Sequence, residues 1–198
     1  MIVFALLISY GWVIKMKKNI IGLGVIVALS PTLACADGAY IGGAFGQTKV
    51  DVTSEGKAFI ADIGAKFDDT DTGFKFFGGY RVNGYLALEG FYTDLGAMSV
   101  ESLGEKVTTE ANSIGASVLG ILPVTENFEL FGKIGFQAWD QKAKYSLGFS
   151  GSDSGTDATF GVGATYIMNR LSVRAEFERY KLDDWNIDMM SVGIAYHF

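Results

Sequence analysis

Six charged residues stand at positions where extended strands turn them all to one side of the chain: Lys75, Arg81, Glu89, Lys133, Arg174 and Glu176. Their companions on that parity are small or hydroxylic, among them Gly79, Ser113, Ser117, Gly135, Gly163 and Thr165. The chemistry that such a set supports is ion pairing in a confined space, with glycine leaving room for the long side chains. Other chemistry is harder to build from these residues. The single histidine, His197, lies one residue from the end, whereas nucleophilic catalysis needs a base held against its nucleophile. It reads as filling on the charged parity, and no catalytic residue is assigned. DDTDTG (68–73) crowds carboxylates before a glycine, but it lacks the third oxygen ligand of a calcium loop. Tyr80 also stands where the closing glutamate belongs if Asp69 opens the loop, so a solvated loop is the better reading, with divalent bridging to lipid phosphate as the alternative. Gly161-x-Gly163 is not followed by the third glycine of a dinucleotide loop. No metal or cofactor is expected.

The elements that must position the charges are strands. The chain holds 26 Gly and 14% aromatic residues with only 2 Pro, a mixture suited to sheets. Alternating runs of about ten residues recur over 39–51, 73–82, 85–95, 109–122, 128–140, 158–169, 171–181 and 187–198. Eight is an even number, as a closed antiparallel barrel crossing an outer membrane requires. Short links at Val82-Asn83-Gly84-Tyr85, 123–127 and Met168-Asn169-Arg170 alternate with long polar stretches at 52–72, 96–108 and 141–157 and a shorter one at 181–186. Asn83-Gly84 predicts a two-residue type I′ hairpin. The alternation of short and long connections places the turns in the periplasm and the loops outside the cell.

The faces separate cleanly. One parity carries Ile41, Gly43, Phe45, Phe74, Phe76, Tyr80, Leu86, Leu88, Tyr92, Ile114, Ala116, Val118, Leu130, Ile134, Phe136, Val162, Ala164, Tyr166, Val173, Ala175, Phe177, Val192, Ile194, Tyr196 and Phe198, none of them charged. A charge at the bilayer midplane on the lipid face costs roughly 2–4 kcal/mol, so this parity suits lipid and the other a lumen. The alternative is a soluble β-sandwich with a solvated charged face. Tyr40, Tyr85, Tyr92, Phe128, Tyr166, Tyr196 and Phe198 fall near strand ends and read as interfacial belts.

Ahead of the strands, residues 19–30 form a short apolar core behind Lys15, Lys17 and Lys18, and Ala34 and Ala36 give the small-x-small pattern of signal cleavage. Residues 1–36 are therefore expected to be a signal region with the true start at Met16, and 37–198 the barrel domain; an uncleaved anchor is the alternative. Cys35 fits a lipobox poorly, because Leu33 stands two residues before it and Thr32 three. Cleavage after Ala36 leaves no cysteine and no disulfide. All acidic residues follow that point while Lys15, Lys17 and Lys18 precede it, so the remaining chain is acidic and unsuited to nucleic acid.

Phe77–Gly96 (FGGYRVNGYLALEGFYTDLG), Leu119–Gly135 (LGILPVTENFELFGKIG), Phe160–Tyr180 (FGVGATYIMNRLSVRAEFERY) and the ending SVGIAYHF together resemble the transmembrane barrel family of outer membrane protein A. The resemblance implies an eight-stranded up-and-down barrel, a Gram-negative outer membrane location and a lumenal network including Glu89, Lys133 and Arg174. It departs at 117–119, where the family carries a lysine, and at Thr165, where it carries a glutamate; Arg174 must then rely on Glu89 or Glu176. It implies that Tyr196 and Phe198 form the signal read by the assembly machinery. Many relatives continue into a peptidoglycan-binding domain, so a stand-alone, monomeric barrel is expected here. The expected partners are outer-membrane lipid and lipopolysaccharide, with surface ligands reached through the loops. The expected role is membrane-structural, with a narrow solute pore and a lipid A-modifying enzyme as alternatives.

Overall fold

The computed structural model describes residues 38–51, 66–68, 70–102, 105–145, 150–183 and 185–198. The expected cleavage residues Ala34 and Ala36 lie outside the described residues. The strands are β1 (Ala39–Asp51), β2 (Lys66–Asp68), β3 (Thr70–Asn83), β4 (Leu86–Ser102), β5 (Glu105–Pro123), β6 (Phe128–Tyr145), β7 (Ser150–Met168), β8 (Leu171–Leu182) and β9 (Trp185–His197). Each pairs antiparallel with its chain neighbours, except that β1 pairs with β3 and short β2 pairs with β4 alone. β1 also pairs with β9, from Tyr40 opposite His197 to Asp51 opposite Asn186, which closes a ring of eight staves. Closure leaves no edge along the membrane-crossing part, where an unpaired backbone group would have no water to bond.

Tight approach of β1 and β9 needs glycine at Gly46, where a Cβ would collide with the Met190 carbonyl. At the end bearing the short turns, Arg81 N–H bonds the Gly38 carbonyl at 2.8 Å and Phe198 N–H bonds the Ala39 carbonyl at 3.0 Å. Both ends of the described barrel therefore lie at one rim.

The two faces behave oppositely to those of a soluble domain. Phe45, Ile134 and Phe136 are about 70% exposed, whereas Lys75, Glu89 and Lys133 are at most 2% exposed. A soluble sandwich buries its large apolar groups, so that alternative is excluded by the direction in which the strands present them. Toward the loop end the pattern inverts again. Lys49, Asp51, Arg179, Lys181 and Asp188 point outward there, while Val50, Leu95, Leu182, Ile187 and Met189 are buried inside. The inversion marks where hydrocarbon gives way to water along the strands.

Three expectations need correction. β4 to β7 run well past their expected ends: 96–102, 105–108, 141–145 and 150–157 are strand rather than loop. The ladder there is sustained by strand-to-strand backbone bonds and has no lipid face, so the apolar alternation that marks a strand inside the membrane is missing. Asn83-Gly84 is not a type I′ turn, because neither residue adopts the left-handed conformation. Tyr85 N–H instead bonds Asn83 Oδ1 at 2.8 Å, an Asx turn, beside a register shift between Arg81 and Asn83. Left-handed residues stand instead in two other turns, Asn169 at φ 56° between β7 and β8 and Asp183 at φ 54° between β8 and β9. Third, Tyr40 does not join the interfacial belt; it is buried in the lumen, because its parity outweighs its place near a strand end.

In DDTDTG, Asp71 accepts the backbone N–H of Thr72 at 2.7 Å and of Ala97 at 2.6 Å. It thereby braces the register shift between Asp94 and Ala97, where Gly96 takes a φ of 80°.

Candidate functional site: the lumenal charge cluster

β8 supplies the frame of the cluster. Arg174, Glu176 and Glu178 alternate along it with Ala175, Phe177 and Arg179, and period two sends all three inward. Lys75 from β3, Glu89 from β4 and Lys133 from β6 meet them in the middle of the barrel. Arg174 Nη1 donates to Glu89 Oε2 at 2.6 Å, and its Nε lies 2.8 Å from Glu176 Oε1. Arg174 thus uses both carboxylates that were open to it. Lys75 Nζ contacts Glu176 and lies 2.6 Å from Glu178 Oε2. Lys133 Nζ contacts Glu178 and stands 3.5 Å from Glu89 and 3.6 Å from Glu176.

Three cations face three carboxylates, so the cluster is neutral as a unit. Neutrality matters because a buried charge without its partner is strongly destabilising, whereas a mutually satisfied set is tolerated.

Aromatic rings wall the cluster. Arg174 lies between Phe131 and Phe77, 4.3 and 4.9 Å from their centroids, and Lys133 lies 5.7 Å from that of Phe91. The faces of these rings carry partial negative charge and so favour the cations. Tyr40 adds a hydrogen bond from its hydroxyl to Glu89 Oε2 at 3.1 Å.

Glu178 and the three phenylalanines were not singled out from sequence, and Tyr40 was assigned to the interfacial belt. For Glu178 and the phenylalanines the signal was present, since each stands on the parity of the lumenal charges of its own strand; β1 carries no lumenal charge to mark Tyr40.

Arg81 lies apart from the cluster. It forms a two-pronged pair with Glu129, at 3.0 and 2.8 Å, near the periplasmic mouth. Between this pair and Arg174 is a cavity of about 30 Å³ lined also by Tyr40, Ser172 and His197. His197 Nε2 lies 3.0 Å from the Ser172 hydroxyl. On the outer side, the Tyr180 and Thr93 hydroxyls bond at 3.1 Å, and Gln137 Nε2 donates to the Lys181 carbonyl at 2.9 Å. Above them Leu95, Leu182, Ile187 and Met189 pack together in the lumen. Trp139 Nε1 and Asp183 N–H both donate to Asp157 Oδ2 at 2.9 Å, tying β6, β7 and the β8–β9 turn. Tyr196 and Phe198 lie outward, with ring centroids 5.3 Å apart.

The sequence matches the outer membrane protein beta-barrel domain over residues 21–198. The chain belongs to this family. It is 27% identical to outer membrane protein A of Klebsiella aerogenes, in an alignment covering 92% of this chain and 56% of that protein. The protein of the same name from Escherichia coli O157:H7 is 26% identical, with 92% and 55% covered. The chain thus spans about half the length of the curated relatives it matches.

Neisserial surface protein A shares the fold with a TM-score of 0.59 at 16% identity, over 82% of this chain and 98% of that one. The attachment invasion locus protein Ail of Yersinia pestis does so with 0.56 at 20% identity, over 82% and 100%. This family places the barrel in the outer membrane of the cell, and the outward apolar band is its lipid-facing surface.

Proposed function

We propose that this outer-membrane barrel serves a membrane-structural role with a lumen closed to solutes, and that its long outer strands offer a surface for contacts outside the cell. The observation that carries this reading is the stacking of two different seals. The neutral ion cluster fills the middle of the barrel, and the apolar layer of Leu95, Leu182, Ile187 and Met189 lies beyond it on the outer side, above the Thr93–Tyr180 pair. A hydrated ion must both displace charge-assisted bonds and enter a dry layer, and each step is unfavourable. The cavity on the periplasmic side, at about 30 Å³, has room for about one water. The role is read as non-enzymatic, in keeping with a Ser172 hydroxyl that is 2% exposed and faces His197 inside the barrel end.

Planar-bilayer recording of the purified, refolded chain tests the closed lumen. The expected trace stays at the leak of the bare bilayer across applied voltages. Reproducible unitary steps would refute the reading in favour of a narrow pore.

A further inference from the structure

The cavity between Arg174 and the Arg81–Glu129 pair has an apolar wall, formed by Leu119, Ile121, Phe131 and Ala195, and a wall of groups that can donate hydrogen bonds. Thr165 is 9% exposed and lines the cavity, and its hydroxyl bonds no other side chain among the described residues. Arg174 reaches Glu89 through Nη1 and Glu176 through Nε, which leaves Nη2 outside those bonds. The Ser172 hydroxyl and His197 Nε2 stand 3.0 Å apart. When His197 carries a second proton, Nε2 must donate, so Ser172 Oγ accepts and its own hydrogen is free to turn into the cavity.

The carboxylate in the lining is already taken, because Glu129 accepts both prongs of Arg81. Unspent donors without an unspent carboxylate suit an anion and not a cation. A space that holds about one water admits a monatomic ion and excludes carboxylates, phosphate and sulfate.

We propose that this cavity binds a small monovalent anion of the halide class, taken up together with a proton on His197. Thr165, Arg174 Nη2 and the Ser172 hydroxyl donate to the ion. Charge balance couples ion and proton. The titratable and charged groups that line the cavity with His197 are Tyr40 of β1, Arg81 of β3, Glu129 of β6 and Arg174 of β8, while β5 and β7 contribute uncharged residues. Arg81 is offset by Glu129, and Arg174 belongs to the neutral cluster. An anion alone, or a proton on His197 alone, therefore adds one uncompensated charge to a confined space, whereas the two together add none. The site lies on the periplasmic side of the cluster and fills whether or not the lumen conducts.

Chloride-35 NMR line broadening tests this on the refolded protein in zwitterionic micelles, with gluconate as the balancing anion. Saturable excess broadening is expected. Because one proton accompanies each ion, chloride affinity should fall about tenfold per pH unit above about pH 7, where an ordinary imidazole is neutral. Sulfate should not compete. Thr165→Val should weaken binding about fivefold and keep the pH dependence, as loss of one hydrogen bond implies. His197→Asn should hold the affinity constant within about twofold over the same range, since the proton-binding group is gone. Lys142→Gln, on the outer part of β6, should match the wild type. Gel mobility before and after boiling verifies that each variant is folded, and the pH and sulfate series need no variant at all. Lack of saturable broadening would mean that the cavity holds water alone and would overturn the proposal. So would displacement by sulfate, a Thr165→Val variant that binds like the wild type, a pH dependence that survives in His197→Asn, or an equal loss in Lys142→Gln.

Discussion

Replacing Lys75 by methionine tests the cluster most directly. Lys75 is 1% exposed, and its ammonium is held between Glu176 and Glu178. Methionine keeps much of the stem but removes the charge, leaving three carboxylates against two cations. Removing one member of a buried pair costs about 3–5 kcal/mol. Here neither carboxylate is orphaned: Glu176 keeps Arg174 at 2.8 Å and Lys133 at 3.6 Å, and Glu178 keeps Lys133. The cost therefore falls at the low end, about 3 kcal/mol. Adding Glu178→Gln restores two cations against two carboxylates, so the double variant should be more stable than the sum of the single losses by about 1–2 kcal/mol. Urea unfolding in lipid vesicles measures this, with tryptophan emission, to which Trp139 in the outer lumen contributes, and gel mobility as independent probes. A single-variant loss under about 1 kcal/mol, or simple additivity in the double variant, would refute the picture of one neutral, interdependent cluster.

Leu88, 51% exposed toward lipid, adjoins Glu89 inside the barrel. Leu88→Arg should cost roughly 2–4 kcal/mol in a bilayer and much less in detergent micelles, where the guanidinium reaches water easily. Glu89→Gln, measured by the same unfolding assay, should show similar losses in both media because its partners Arg174, Lys133 and Tyr40 are lumenal. If the two variants respond alike to the change of medium, the assignment of faces fails. Deleting Phe198 should lower the amount of barrel assembled in cells while leaving refolding in detergent nearly intact, and unchanged cellular assembly would rule out Phe198 as the assembly signal.

Much of this architecture was legible without coordinates because period two ties each residue's face to its place in a strand. The even number of alternating runs, the unequal connections and the separation of uncharged from charged parity sufficed for an eight-stave barrel with apolar groups toward lipid. Other features lay beyond local pattern. Strand ends outside the bilayer lose the lipid face that marks them, so 96–102 and 150–157 looked like loops although backbone pairing carries them on. The Asn83 turn was misread because a bulge, not the dipeptide, sets its geometry. Tyr40 was misplaced because nearness to a strand end was weighed above parity.

Sequence alone determined which side chains point inward; only the tertiary structure decided which of them meet. Lys75 and Glu178 lie 103 positions apart, and their contact depends on strand tilt, register and the closure of β1 onto β9. Those are properties of the whole ring, so no single strand's pattern contains them.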